Sequence, residues 1–222
     1  MFNKNKKAIM LKFLVSLVLA LIIFVPACYL GARLFRTSTQ AKDNYVDFVQ
    51  ELEKFSQVGE IGARESTLLI MDTATAVVYF EKGKKEVLVE VDARVPYTDF
   101  TIHLQKPSQC NDDKNCLCLF RKSEFDTSLS KPGYDTITVI PKIVLCSNIN
   151  YNLEIESCSL GKAEAVHSYK CTGGFMIERH LADKSSWYVV SYYEMPRRTL
   201  LYLVKLDNTV RIIGPQEGQQ IK

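Results

Sequence analysis

The sequence predicts an α+β protein: an N-terminal transmembrane helix and an amphipathic helix, followed by an antiparallel β-sheet or sandwich with disulfides. Three observations predict it. A long apolar run sits between basic flanks near the N-terminus. Apolar residues recur every three or four positions up to residue 58 and every second position beyond residue 62. Six of the seven cysteines lie in that second part. The 11 Tyr and 11 Phe are too many for a disordered chain, so the second part is expected to fold around a core.

The first element spans residues 1–36. From Phe13 to Leu30 every residue is apolar or small, apart from Ser16 and the closing Pro26-Ala27-Cys28-Tyr29. With Ala8 to Leu11 behind Lys12 the stretch reaches about 20 residues, enough for roughly 30 Å of hydrocarbon at ~1.5 Å each. Lys4, Lys6, Lys7 and Lys12 outnumber Arg33 and Arg36 across it. That asymmetry puts a short N-terminal tip in the cytoplasm, residues 8–30 in a lipid bilayer, and residues 37–222 outside. The expectation is an uncleaved single-pass signal anchor in the cell membrane.

Three other fates stay open, and all leave the domain on the same side. The segment also has the layout of a cleaved secretory signal. Val25-Pro26-Ala27-Cys28 resembles a bacterial lipobox, which implies a lipidated Cys28, and Lys7-Ala8 resembles an archaeal prepilin cleavage site. Charge supports membrane insertion over nucleic-acid binding. Residues 1–36 hold six basic and no acidic side chains, leaving 22 basic and 25 acidic in the rest. A nucleic-acid binder would carry its excess on the folded domain.

Residues 37–58 form the second element. Thr37-Ser38-Thr39 offers either a hydroxyl N-cap or a polar step in a continuing helix. Behind it Ala41, Tyr45, Phe48, Val49, Leu52 and Phe55 make one apolar stripe, with charged residues between them. The helix is expected to end near Val58-Gly59 and to pack on its own domain.

The third element, residues 59–214, reads as nine to eleven strands. Ser66–Met71 and Ala74–Phe80 flank Asp72-Thr73 and suggest a hairpin. Glu86–Val91 alternates polar and apolar. Phe100–Leu104, Leu117–Phe120, Ile137–Ile140, Ile143–Cys146 and Gly174–Glu178 follow. Trp187–Tyr193, Leu200–Lys205 and Val210–Ile213 suggest a terminal meander with turns at 195–198 and at Asp207-Asn208. Residues 215–222 read as a polar tail.

Cys110, Cys116, Cys118, Cys146, Cys158 and Cys171 fall in the part expected outside, where an even number reads as three disulfides with 15 connectivities open. Cys116 and Cys118 alternate with Leu117 and Leu119, so both thiols share one strand face. One is expected to close onto Cys110, the other to reach Cys146, Cys158 or Cys171. The rival is a metal site from Cys110, Cys116, Cys118 and Cys146 with His103 or His167 nearby. The spacing C-x₅-C-x-C matches no common zinc knuckle, so no metal and no cofactor is expected.

Little in the chain points to catalysis. His103 sits in strand alternation, while His167 and His180 lie in loop-like stretches; no G-x-S-x-G, H-E-x-x-H, P-loop or G-x-G-x-x-G occurs. Thr172-Gly173-Gly174 needs only a tight turn. Asn111-Asp112-Asp113-Lys114-Asn115 lacks the spaced oxygens of a calcium loop and reads as a solvated tip. Trp187, Tyr188, Tyr192, Tyr193, Arg197, Arg198 and Tyr202 gather aromatic and cationic groups into a candidate patch for a protein or glycan partner, or an ordinary sheet face.

The basic N-terminus, Leu19–Leu30, Gly31-Ala32-Arg33-Leu34-Phe35, Glu65–Asp72 and Cys116-Leu117-Cys118-Leu119 together resemble single-pass membrane-anchored proteins of small-genome archaea. That resemblance implies a Cys-bridged external domain and no particular activity. The helix-then-sheet layout also resembles type IV pilin-like subunits. Lys12, the lack of an early acidic residue in the apolar run, and Arg33 with Arg36 depart from the pilin pattern. The expected role is binding, adhesion or envelope assembly without catalysis; a filament subunit and a secreted or lipid-anchored β-rich enzyme are the alternatives.

Overall fold

A computed structural model describes residues 4–72, 75–93, 99–126, 135–155, 158, 166–179 and 198–214, with helix side chains described for 15–25 and 40–58. The first element is a helix, α1 (Lys4–Val58), whose backbone stays helical through residues 37–39. Among the described residues thirteen strands follow: β1 (Arg64–Ile70), β2 (Thr75–Phe80), β3 (Glu86–Ala93), β4 (Phe100–Gln105), β5 (Asn115–Arg121), β6 (Glu124–Asp126), β7 (Asp135–Ile140), β8 (Ile143–Ile149), β9 (Asn152–Ile155), β10 (Val166–Thr172), β11 (Gly174–Arg179), β12 (Arg198–Lys205) and β13 (Thr209–Ile213).

The chain divides into two units, Met1–Gln40 and Ala41–Lys222. In the first, the side chains of residues 15–25 are all exposed. Among the described residues no helix is long and apolar enough to cross a membrane. Much of the span expected over residues 8–30 lies outside the described side chains.

The second unit holds the β domain and the last turns of α1. Its strands form three sheets, ordered β1-β12-β13-β9, β11-β2-β5-β8 and β10-β3-β4-β7-β6. The β2/β5 sheet is the middle layer. Every residue of β2 and of β5 is buried, because both sheet faces carry apolar side chains. On one face Val77, Tyr79, Leu117 and Leu119 meet the β1/β12 sheet and the α1 stripe. On the other, Val78, Phe80, Cys116, Cys118 and Phe120 meet Val87, Val89, Ile102 and Leu104 of the third sheet.

The stripe on α1 packs as its spacing predicts: Ala41, Tyr45, Phe48, Val49, Leu52 and Phe55 are all buried. Polar groups fix the helix against the sheets. The Tyr45 hydroxyl donates to the Leu117 carbonyl at 2.6 Å. Asn44 Nδ2 donates to the Leu68 carbonyl at 3.0 Å, and its Oδ1 accepts from Ile70 N–H at 2.6 Å. The buried Lys205 Nζ donates to the Ser56 carbonyl, one of the last four that the helix leaves unpaired.

Several sequence expectations need correction. β1 and β2 are not a hairpin: β1 pairs with β12, while β2 lies between β11 and β5 in another sheet. The domain is not wholly antiparallel, since β4 pairs parallel with β7, and β13 with β9. His167 is on strand β10 rather than in a loop. Of the terminal meander, β12 and β13 pair antiparallel, and Trp187–Tyr193 lies outside the described residues. The Gly173-Gly174 pair is where the chain leaves the third sheet for the middle one. Gly173 has φ +83° and Gly174 φ +145°, and a Cβ on Gly174 would stand 1.8 Å from the Tyr79 carbonyl oxygen.

Candidate functional site

The described residue types with the richest chemistry gather where β5, β8 and the β4–β5 loop meet. Alternation along β5 puts Leu117 and Leu119 toward α1 and the β1/β12 sheet, and Cys116 and Cys118 toward the third sheet. The β5–β8 register sets Cys118 directly opposite Cys146. Cys110, on the loop entering β5, comes over the same face.

The six cysteines form three disulfides: Cys110–Cys116, Cys118–Cys146 and Cys158–Cys171. The first two touch. Cys118 Sγ lies 3.3 Å from Cys110 Sγ and 3.7 Å from Cys116 Sγ, and all four sulfurs lie within 4.8 Å of one another. None of them carries a hydrogen in this state, so these are van der Waals contacts between two bridges. Cys116 and Cys118 are fully buried, Cys110 nearly so, and Cys146 is half-buried. The cluster is thus reached from the Cys110 and Cys146 side.

The loop over the sulfurs is braced by polar groups. Asn148 Oδ1 accepts from Asn111 N–H at 2.8 Å, and Asn111 Oδ1 accepts from Asp113 N–H at 2.9 Å, an Asx turn. Lys106 Nζ donates to the Asn111 carbonyl at 3.1 Å and lies 3.5 Å from an Asp112 oxygen. Gly83 N–H donates to the Asp112 carbonyl at 2.9 Å. The buried Asn115 accepts from Lys82 N–H at 2.8 Å and donates to the Tyr151 carbonyl and the Asn152 side chain at 2.8 and 2.9 Å. The Asn/Asp stretch expected as a solvated tip is therefore exposed at 111–114 and locked at both ends.

The other candidates scatter. His103 pairs with Glu86 at 2.7 Å on the outward face of the third sheet, beside the Lys170–Glu90 pair at 3.4 Å. His167 is exposed on β10, and His180 lies outside the described residues. Arg198 is exposed at the start of β12 and Tyr202 is half-buried farther along it, while Trp187, Tyr188, Tyr192, Tyr193 and Arg197 lie outside the described residues.

One titratable group escaped the sequence reading. Glu178 on β11 is buried, between Met176 two residues back and its cross-strand partner Ala76, both in the core under the third sheet. Among the described residues its Oε2 has no hydrogen-bond partner. Burial pushes its carboxyl up to about 8. The signal was present in Gly174–Arg179, where alternation puts Met176 and Glu178 on one side.

No protein-family model, curated protein or solved structure matches this chain.

Proposed function

We propose that this chain is a single-pass, membrane-anchored protein with an extracytoplasmic, disulfide-stapled β domain that binds, adheres or assembles in the cell envelope without catalysis. One observation carries the reading: every cysteine beyond the N-terminal segment is in a bridge, the state that oxidising compartments sustain and the cytosol reverses. The apolar run at 8–30 and its basic inner flank support the anchor and its orientation. So do the eleven consecutive exposed side chains at 15–25, which rise about 17 Å along the helix, roughly half of a hydrocarbon core. The contact region for a protein or glycan partner is the aromatic and cationic segment from Trp187 to Tyr202.

A filament subunit is the second reading, favoured by the helical backbone that runs from Lys4 to Val58 into a sheet domain. Intact mass of the protein from native membranes, before and after reduction with alkylation, separates the two. The anchored reading expects full-length mass and six alkylations added only on reduction. Loss of residues 1–8 transfers support to the filament subunit. Loss through Ala27 makes the domain secreted or lipidated, and alkylation of any of the six cysteines from Cys110 to Cys171 without reduction overturns the oxidised external domain; Cys28 lies outside that set.

A further inference from the structure

We infer that the Cys110, Cys116, Cys118 and Cys146 cluster, once reduced, is a tetrahedral four-thiolate site for a zinc ion. Thiolate sulfurs around zinc stand about 3.8 Å apart, as a bond length of roughly 2.3 Å and tetrahedral angles require. Of the contacts between the bridges, that at 3.7 Å matches this spacing and that at 3.3 Å is slightly shorter, and every pair lies within 4.8 Å. Opening the two bridges lets the sulfurs of each bonded pair move apart to that spacing. Sequence spacing conceals the site because its ligands come from a loop, one face of β5 and the facing residue of β8.

The backbone that presents the four sulfurs is held by hydrogen bonds as well as by the bridges. The β5–β8 ladder runs from Asn115 opposite Ile149 to Arg121 opposite Ile143. The Asn111–Asn148 and Asn115 hydrogen bonds hold the loop and the strand start. Lys106, its side chain 4% exposed, places an ammonium on the carbonyl next to Cys110 in sequence, where it offsets part of the charge of a four-thiolate zinc centre.

The redox step needs a reductant, a dithiol or a phosphine. Two equivalents supply four electrons and both S–S bonds break: each dithiol becomes a disulfide and passes its two protons to the cysteine sulfurs, whereas each phosphine becomes its oxide, with water supplying the oxygen and the two protons. Zinc then forms four Zn–S bonds and releases the four protons. The bridged and the metal-loaded forms are alternative states of one cluster, and the compartment's redox poise selects between them.

The test uses the detergent-solubilised full chain, reduced with a phosphine without oxygen and titrated with cobalt(II) as a spectroscopic probe. One cobalt per reduced chain is expected, with the thiolate charge-transfer and d–d bands of tetrahedral S₄ coordination, and zinc displaces it. The oxidised chain takes none. Cys118→Ser weakens binding by more than the roughly 10–100-fold that losing a supporting hydrogen bond costs, and the Cys158→Ser/Cys171→Ser double variant leaves it unchanged. Because Cys118→Ser can also disturb folding, alkylation of the unmutated reduced chain gives a second readout. Zinc should protect Cys110, Cys116, Cys118 and Cys146 while Cys158 and Cys171 react at their metal-free rates. Should reduction unfold the chain, zinc is expected to restore its circular dichroism. No cobalt bands from the reduced chain, equal protection of Cys158 and Cys171, or failure of zinc to refold it overturns the site.

Discussion

At the scale of single residues, burial decides what a side chain can do, and Glu178 shows it most clearly. Its carboxyl sits in an apolar layer with one oxygen unpartnered among the described residues, so the protonated form is favoured and ionisation moves up to about 8. In the unfolded chain the same group ionises near its ordinary value of about 4.3. Below that value both states hold the proton and Glu178 imposes no ionisation cost on folding. Between roughly pH 4.3 and 8 the folded protein keeps a proton that the unfolded chain has released. Raising the pH then removes about 1.4 kcal/mol of stability per unit, and above about 8 the loss stops growing. Urea unfolding across pH 5–8 should show this fall in the original protein relative to Glu178→Gln, which cannot ionise there. Parallel pH profiles for the two would mean that Glu178 titrates as if solvated. The sequence shows the parity that groups Glu178 with Met176, but its burial depends on the layer packed above, which one strand cannot reveal. The same holds for the cysteines: their shared face is local, whereas the Cys118–Cys146 pairing is set by cross-strand register.

Elements were legible where one face alone had to be apolar. The α1 stripe has a period that only a helix satisfies, and every residue named from it is buried. A paired test separates stripe from surface. Leu52→Ala removes a fully buried side chain from the core and should cost about 2–5 kcal/mol. Val46→Ala, on a side chain 43% exposed, should change stability by under about 0.5 kcal/mol. Equal losses, measured by urea unfolding followed through tyrosine circular dichroism, would mean that the helix does not bury the stripe. Strand partners were less legible. β1 and β2 are adjacent in sequence, but Asp72-Thr73 between them lacks the Gly that follows Asp or Asn in a tight hairpin turn, and the two strands enter different layers. β10 is hard to read as a strand because Val-His-Ser-Tyr-Lys-Cys-Thr is largely polar, as suits an edge strand that among the described residues pairs with β3 alone.

For the whole molecule, the three layers explain why disulfides accompany an ample core. The chain moves repeatedly between sheets: β2 to β3, β4 to β5, β7 to β8 and β10 to β11 all change layer. Contacts so distant in sequence carry a large closure entropy, and cross-links remove part of it from the unfolded chain. The separations bridged are 6, 13 and 28 residues for Cys110–Cys116, Cys158–Cys171 and Cys118–Cys146. Chain-entropy reasoning turns these into about 2.2, 2.9 and 3.6 kcal/mol of stabilisation. Replacing each pair by alanine and measuring urea unfolding should therefore hurt most at Cys118–Cys146. The decisive comparison is between that pair and Cys110–Cys116. Each contributes one fully buried cysteine from the same face of β5, so lost burial is similar and the roughly 1.4 kcal/mol difference reports loop length. If the order reverses, with Cys110–Cys116 the costlier loss, the loop braced by Asn111 and Asn115 depends on its bridge more than those hydrogen bonds imply. The reduced cluster would then lose the preformed backbone on which its zinc chemistry rests.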